Sequence, residues 1–243
     1  MPILRIMPQP LRVLITGTDT GVGKTHVTRL LARGLRLAGR RVWLHKLAAA
    51  GVETDGRWSD VEQLAALCDD DQDPQSICPI RLREPCSPHL AARLEGRTIA
   101  LGELLDNLQA LRGEHDLLVE GAGGLLVPLT HELETVLDVA LAAGLSALVV
   151  TRPHLGTLNH TMLTVAQLRQ AGCEPLGLVL NHHEPVADCP ATRTAAEELQ
   201  ALTGLPLLAT IGHATRPDDA ELRRFAVNFL DRWRDPGSMS PCT

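Results

Sequence analysis

The residues with the most chemical content in this 243-residue chain are two lysines and one carboxylate. Of 23 basic residues only Lys24 and Lys46 are lysine, and the other 21 are arginine. A chain that meets its solvated positive positions with arginine has kept lysine twice. An ammonium is a compact point charge, whereas a guanidinium is a flat fork, so the two are not interchangeable beside a crowded anion. Lys24 ends the run "TGTDTGVGKT" (16–25), which joins an apolar run to a helical pattern. In that setting Gly21, Val22 and Gly23 offer a turn of inward backbone N–H groups, and the helix start adds its dipole. Lys24 would reach the β- and γ-phosphates of a nucleotide, and the Thr25 hydroxyl would coordinate Mg²⁺. The strict G-x-x-x-x-G-K-[ST] pattern fails by one residue, because Gly17 falls one place early and Thr18 takes the usual glycine position.

A magnesium ion held by one hydroxyl and phosphate oxygens still needs carboxylates. Glu120 closes "DLLVE" just before the "GAGG" turn (121–124), a position that places a carboxylate against a ligand more often than in a core. Asp60 opens a helical pattern in "RWSDVEQL". Asp60 has a second reading as helix-start electrostatics behind a Ser59 cap.

The elements that must position these residues are legible as alternation. Apolar, strand-like runs occur at 11–16, 41–46, 116–121, 146–151, 175–181 and 206–210, several without polar alternation, as for strands covered on both faces. Helical patterns lie between them at 25–38, 60–67, 101–111, 133–142, 158–170 and 191–202. This order predicts an α/β fold, P-loop NTPase-like, with a mainly parallel sheet and helices on both faces. There is no internal repeat or low-complexity linker, so one domain over 1–243 is expected, with loose ends at 1–10 and 235–243. Ligands of such sheets bind beyond the carboxyl ends of the strands, and Lys24, Lys46 and Glu120 all fall at that edge.

Composition narrows the function classes. A net charge of −6 argues against a general nucleic-acid or acidic-membrane surface, since both want a basic face. No run is long and apolar enough to span a bilayer, and the N-terminal "MPILRIMPQP" is broken by Arg5 and by prolines. The six cysteines, Cys68, Cys78, Cys86, Cys173, Cys189 and Cys242, show neither C-x-x-C pairing nor metal spacing. They read as reduced thiols of a cytoplasmic protein. His182–His183 lacks partners at ligand spacing and reads as solvated.

Together, "TGTDTGVGKT", the lysine ending the next strand, "SD" opening the following helix, "EPCSPHLAARLEG" (84–96), "LVEGAGG" (118–124) and "GTLNHTMLT" (156–164) resemble the dethiobiotin synthetase family, in that family's order. The family's phosphate loop carries Thr where this chain has Thr18. The resemblance implies a homodimer that converts 7,8-diaminononanoate, CO₂ and Mg-ATP into dethiobiotin, ADP and phosphate. It implies catalytic roles for Lys24, Lys46 and Thr20. It implies Mg²⁺ ligation by Thr25, Asp60 and Glu120, and nucleotide contacts from residues 21–25 and Asn181. It implies substrate contacts from Thr20, Lys46, Ala50, Gly121 and Ala122, and from Leu158 and Asn159, whose helix start holds the substrate carboxylate across the dimer interface. A helix N-terminus is a physically sound carboxylate site, although Asn159 and His160 also read as an ordinary cap. Ser87 and His89 are expected to form a lid on the substrate side, or simply the turn that Pro88 favours.

The chain departs from the family at Leu47 and Ala50, where the resemblance implies Pro and Ser or Thr. Loss of that hydroxyl costs about 1 kcal/mol. Three other readings stand beside this one: a synthetase paralogue acting on another diamine or carboxylate, a partition-ATPase-like nucleotide switch, and an ATP-dependent amidoligase. The switch class carries a further lysine at the start of its loop, where this chain has Thr18 and Asp19. The amidoligases append a glutaminase domain, for which there is no room. Both lysines, if they act on phosphate, are expected to be essential, and alanine in either place is expected to leave the fold.

Overall fold

The computed structural model describes residues 9–68, 71–185, 188–213 and 216–235. The expected loose ends and Cys242 lie almost wholly outside the described residues. Within them the strands are β1 Arg12–Gly17, β2 Val42–Lys46, β3 Ala49–Ala50, β4 Arg81–Leu82, β5 Asp116–Glu120, β6 Ser146–Thr151, β7 Gly177–Asn181 and β8 Leu207–Ile211. The helices are α1 Lys24–Leu37, α2 Ser59–Ala65, α3 Pro88–Leu94, α4 Leu101–Ala110, α5 Val136–Ala143, α6 Thr157–Gln170, α7 Pro190–Arg193, α8 Ala195–Thr203 and α9 Asp219–Arg234, with a 3₁₀ turn at Pro74–Ile77.

The six apolar runs become one parallel sheet in the order β2-β5-β1-β6-β7-β8. Their continuous apolarity resolves into alternation once the faces are known. Val13, Ile15, Leu118, Leu148, Val150 and Val179 point into one core with α1 and α9. Leu14, Leu117, Val119, Ala147, Val149, Leu178 and Leu180 point into the other, with α4, α5, α6 and α8. The central strands are largely apolar because both their faces are buried, whereas the edge strand β8 is partly exposed. From β1 the chain crosses to β2 at the sheet edge, and from β5 it returns past β1 to β6. That reversal opens a crevice at the carboxyl edge beside β1.

Several boundaries differ from the periodic reading. The helix expected from 133 begins at Val136, because Leu133 has φ 68° and Thr135 forms a capping box with Asp138. The 191–202 pattern divides into α7 and α8 at Thr194. Helix α9 was not anticipated, although Asp218 and Glu221 form a capping box ahead of Leu222, Phe225, Ala226, Phe229 and Leu230. It lies so close to α1 that a Cβ on Gly34 would come within 2.4 Å of the Leu222 carbonyl oxygen. The small parallel sheet β3–β4 was also unforeseen, since two-residue strands carry no period.

Candidate active site

A cavity of about 630 Å³ opens where β1, β2 and β5 finish. One wall is the loop from β1 to α1. Thr18 N–H donates to the Val150 carbonyl at 3.0 Å, which pins the loop's entry to β6. The positive φ angles of the loop fall at Gly21 (72°) and Gly23 (85°), and Leu133 alone among the described non-glycine residues has one. Position 18 therefore needs no glycine, and the failed pattern match has a backbone explanation. Gly23 is constrained twice, since a Cβ there would also lie 2.0 Å from Asn181 Nδ2. That amide donates to the Val22 carbonyl at 2.9 Å, so Asn181 at the end of β7 braces the loop from below. Val22 points into the core and presents only backbone to the site.

Lys24 opens α1 at 7% exposure, and its Nζ donates to the Asp19 carbonyl at 3.1 Å. Burial lowers its pKa to about 8, Glu120 opposes that shift and Lys46 adds to it. The Thr25 hydroxyl donates to Glu120 Oε1 at 2.8 Å. Helix α1 has no side-chain cap and no acidic residue in its first turn, which leaves its N–H groups facing the cavity.

Lys46 reaches the same point from β2. It is the register partner of Glu120 on β5, so their side chains lie side by side on one face. Lys46 Nζ bonds Glu120 Oε1 and also Asp60 Oδ2, the latter at 3.0 Å. Burial opposes the Lys46 charge, but Glu120 and Asp60 outweigh it and raise its pKa above the ordinary range. Asp60 sits in the first turn of α2. Burial pushes its carboxyl up, yet Lys46 outweighs that and holds it below the usual range. Neither Asp60 nor Ser59 caps α2, whose N-cap is Trp58. Asp60 is thus turned toward the site rather than spent on its helix.

Thr25, Asp60 and Glu120 are hard oxygen donors, as Mg²⁺ requires. Glu120 is 0% exposed and its Oε2 is buried without a partner, a costly arrangement unless a cation supplies one. Among the described residues no group of three or more His, Cys, Asp or Glu gathers at metal spacing. Two carboxylates and a hydroxyl suit an ion that takes its remaining ligands from phosphate and water.

The far wall comes from the unanticipated small sheet. Ala49 pairs with Arg81 and Ala50 with Leu82, which brings Pro85, Cys86 and Ser87 opposite the phosphate loop. Thr20, Ala50 and Ala122 line the cavity as expected. Gly121 does not line it, since a Cβ there would meet Val136 Cγ1 at 2.9 Å. Ser87 lines it but His89 does not, so only the serine half of the expected lid faces the site. Leu158 packs against the core and Asn159 is exposed at the start of α6, both outside the cavity. Trp58 and His183 line it and were not foreseen. His183 is exposed, as expected, and also lines the cavity beside Gly23. The departure at Leu47 also has a cause. Its N–H donates to the Glu120 carbonyl at 3.0 Å, a bond that proline would forfeit.

Comparison with known proteins agrees with this geometry. The family described as an AAA domain matches residues 11–218. An ATP-dependent dethiobiotin synthetase BioD of Anaeromyxobacter sp. (strain Fw109-5) is 45% identical over 219 residues, covering 90% of this chain and 96% of the relative. The enzyme of that name from Methanocaldococcus jannaschii is 40% identical over 174 residues, 70% and 78% of the two chains. Among solved structures, the Pyrococcus furiosus cell division ATPase MinD is similar with TM-score 0.58 at 19% identity, covering 90% of this chain and 98% of its own. A cobyrinic acid a,c-diamide synthase from Mycobacterium smegmatis, with a bound ATP analogue and magnesium, is similar with TM-score 0.56 at 20% identity, covering 96% and 100%. At those identities the structural likeness speaks to the fold alone.

Proposed function

The chain belongs to the ATP-dependent dethiobiotin synthetase family, and on that premise we propose that it closes the ring of dethiobiotin from 7,8-diaminononanoate, CO₂ and ATP, as a step of biotin biosynthesis. The observation that carries this reading is the convergence of Lys24, Lys46, Thr25, Asp60 and Glu120 on one cavity whose opposite wall has room for a second, smaller substrate. A nucleotide switch would need the phosphate loop, but not the second buried lysine facing that wall.

One substrate amine, once neutral, takes up CO₂ as a carbamate. A carbamate oxygen then attacks the γ-phosphorus, the bond to the β-phosphate oxygen breaks, and ADP leaves. The second amine attacks the carbonyl carbon of the resulting mixed anhydride, closes the cyclic urea and expels phosphate. The amines are their own nucleophiles, so the protein's task is to position and to supply positive charge. Lys24 faces the phosphate side, Lys46 stands between the phosphate side and the substrate wall, and Thr20 lies near Gly123 on the carbamate side. Thr25, Asp60 and Glu120 would hold Mg²⁺, which neutralises charge on the transferring phosphoryl group. Asn181 braces the loop that cradles the nucleotide. We place the substrate carboxylate at the N–H groups of Leu158 and Asn159, supplied by a second copy in a homodimer, and place the protein in the cytoplasm.

Phosphate release measured with ATP, Mg²⁺, bicarbonate and diaminononanoate, each left out in turn, tests the reading. Release that needs all four supports it. Release without the diamine, or stimulated instead by DNA or lipid, sinks it.

A further inference from the structure

Thr151, the last residue of β6, and Arg152, just beyond it, tie down different parts of the site. Thr151 is fully buried, and its hydroxyl lies 2.8 Å from that of Thr157 and 2.9 Å from that of Thr161. Those threonines stand in the first and second turns of α6, and both are buried. The next residue, Arg152, follows the strand and reaches back to the phosphate loop. Its Nη2 donates to Asp19 Oδ2 at 3.2 Å. Asp19 is the hub of the phosphate loop: its Oδ1 accepts the Thr20 N–H at 2.7 Å, and its carbonyl accepts Lys24 Nζ.

The geometry points to Thr151 and Arg152 as a pair of positioning residues that hold the phosphate loop and the first turn of α6 in register with each other. This rests on the proposed function for the α6 half, where the helix start receives the substrate carboxylate. Two features carry the assignment. The Thr151 hydroxyl, with one donor hydrogen and two acceptor lone pairs, meets two partners, one in each of two successive turns of α6. Helix α6 lacks a side-chain cap and follows Gly156 at φ 98°. Its first turn is held locally by the Thr157 N–H to His154 carbonyl and His160 N–H to Gly156 carbonyl bonds, and the hydroxyl triad adds a tie from that turn to the strand. On the other side, Arg152 grips a residue whose remaining acceptors orient Thr20 and the Lys24 ammonium. Because the α6 start serves the second copy's substrate in the proposed homodimer, this strand end ties the phosphate loop of one site to the carboxylate site of the other.

The test uses the full chain, with Arg152→Met, Arg152→Lys, Thr151→Val and Thr151→Ser compared in steady-state assays that vary ATP and diaminononanoate separately. Arg152→Met is expected to raise KM for ATP about fivefold, as loss of one partly exposed ion pair does, and Arg152→Lys to restore most of it. Thr151→Val is expected to raise KM for the diamine by a similar factor with KM for ATP unchanged, and Thr151→Ser to restore it. If Thr151→Val fails to fold, Thr161→Val removes the same contact from the helix side. Unchanged KM values, or both rising together in each variant, overturn the assignment. A 1,2-diamine of equal length without the carboxylate separates the two claims. If wild type uses it as well as diaminononanoate, the carboxylate reading and the Thr151 half fall together. If wild type rejects it and Thr151→Val still behaves as wild type, only the positioning role fails.

Discussion

Lys46 and Glu120, 74 residues apart in sequence, are register partners on adjacent parallel strands, and the Lys46 ammonium bonds the Glu120 carboxylate at the carboxyl edge of the sheet. Both are almost wholly buried, with 5% and 0% exposure. This contact binds stability and chemistry together at one point.

Removing the ammonium alone takes from buried Glu120 its directly bonded countercharge. Lys46→Ala is therefore expected to cost about 3–5 kcal/mol, a fall in Tm of about 10 °C, besides abolishing phosphate release. This revises the simpler expectation that alanine would leave the fold. Lys46→Arg keeps the charge and most of the stability but should lose at least about a hundredfold in phosphate release, because a flat fork cannot stand in for a point charge. Calorimetric melts and the release assay on both variants check this. Near-normal turnover by Lys46→Arg contradicts the role, and an unshifted Tm for Lys46→Ala contradicts the energetics.

Lys24 gives the nucleotide affinity a pH dependence of known sign. Its pKa in the free protein is about 8, lowered mainly by burial. Phosphate favours the charged form, so the value rises in the complex. Affinity is then full below pH 8 and declines as pH rises above it, and binding at pH 9 takes up a proton. Titration calorimetry in two buffers of different ionisation heat measures that uptake. Its absence at pH 9, or its persistence in Lys24→Gln, counts against the assignment.

Ala50 lines the cavity on the wall facing the phosphate loop. Ala50→Ser restores a hydroxyl there and is expected to raise kcat/KM for diaminononanoate about fivefold, the worth of one neutral hydrogen bond, with KM for ATP unmoved. No gain would mean that the wall is shaped for a different substrate.

Gly34 permits the close crossing of α1 and α9. Gly34→Ala improves helix propensity by about 1 kcal/mol, yet its Cβ would meet the Leu222 carbonyl oxygen at 2.4 Å. The overlap should prevail and destabilise by about 1–3 kcal/mol, read as a lower Tm with unchanged KM values. A higher Tm would show that α9 moves aside without cost.

Much of this protein is determined locally and is therefore legible along the chain. The six strands and most of the helices follow from period and apolarity within short windows, and the phosphate loop follows from glycines whose backbone angles only its turn needs. Lys46 and Glu120 could be singled out because a charged residue at the end of an apolar run is conspicuous, Lys24 because it ends a glycine-rich loop, and Asp60 because it opens a helical pattern. Their partners could not. Which strand lies beside which, that Asn181 reaches across to Val22, that α9 closes on Gly34, and that Arg152 reaches back to Asp19 are all contacts between distant segments. No local pattern encodes them, because they arise only when two buried faces pack and parallel register brings side chains from separate strands level. Tertiary structure alone decided that the second lysine and the strand-end carboxylate are neighbours.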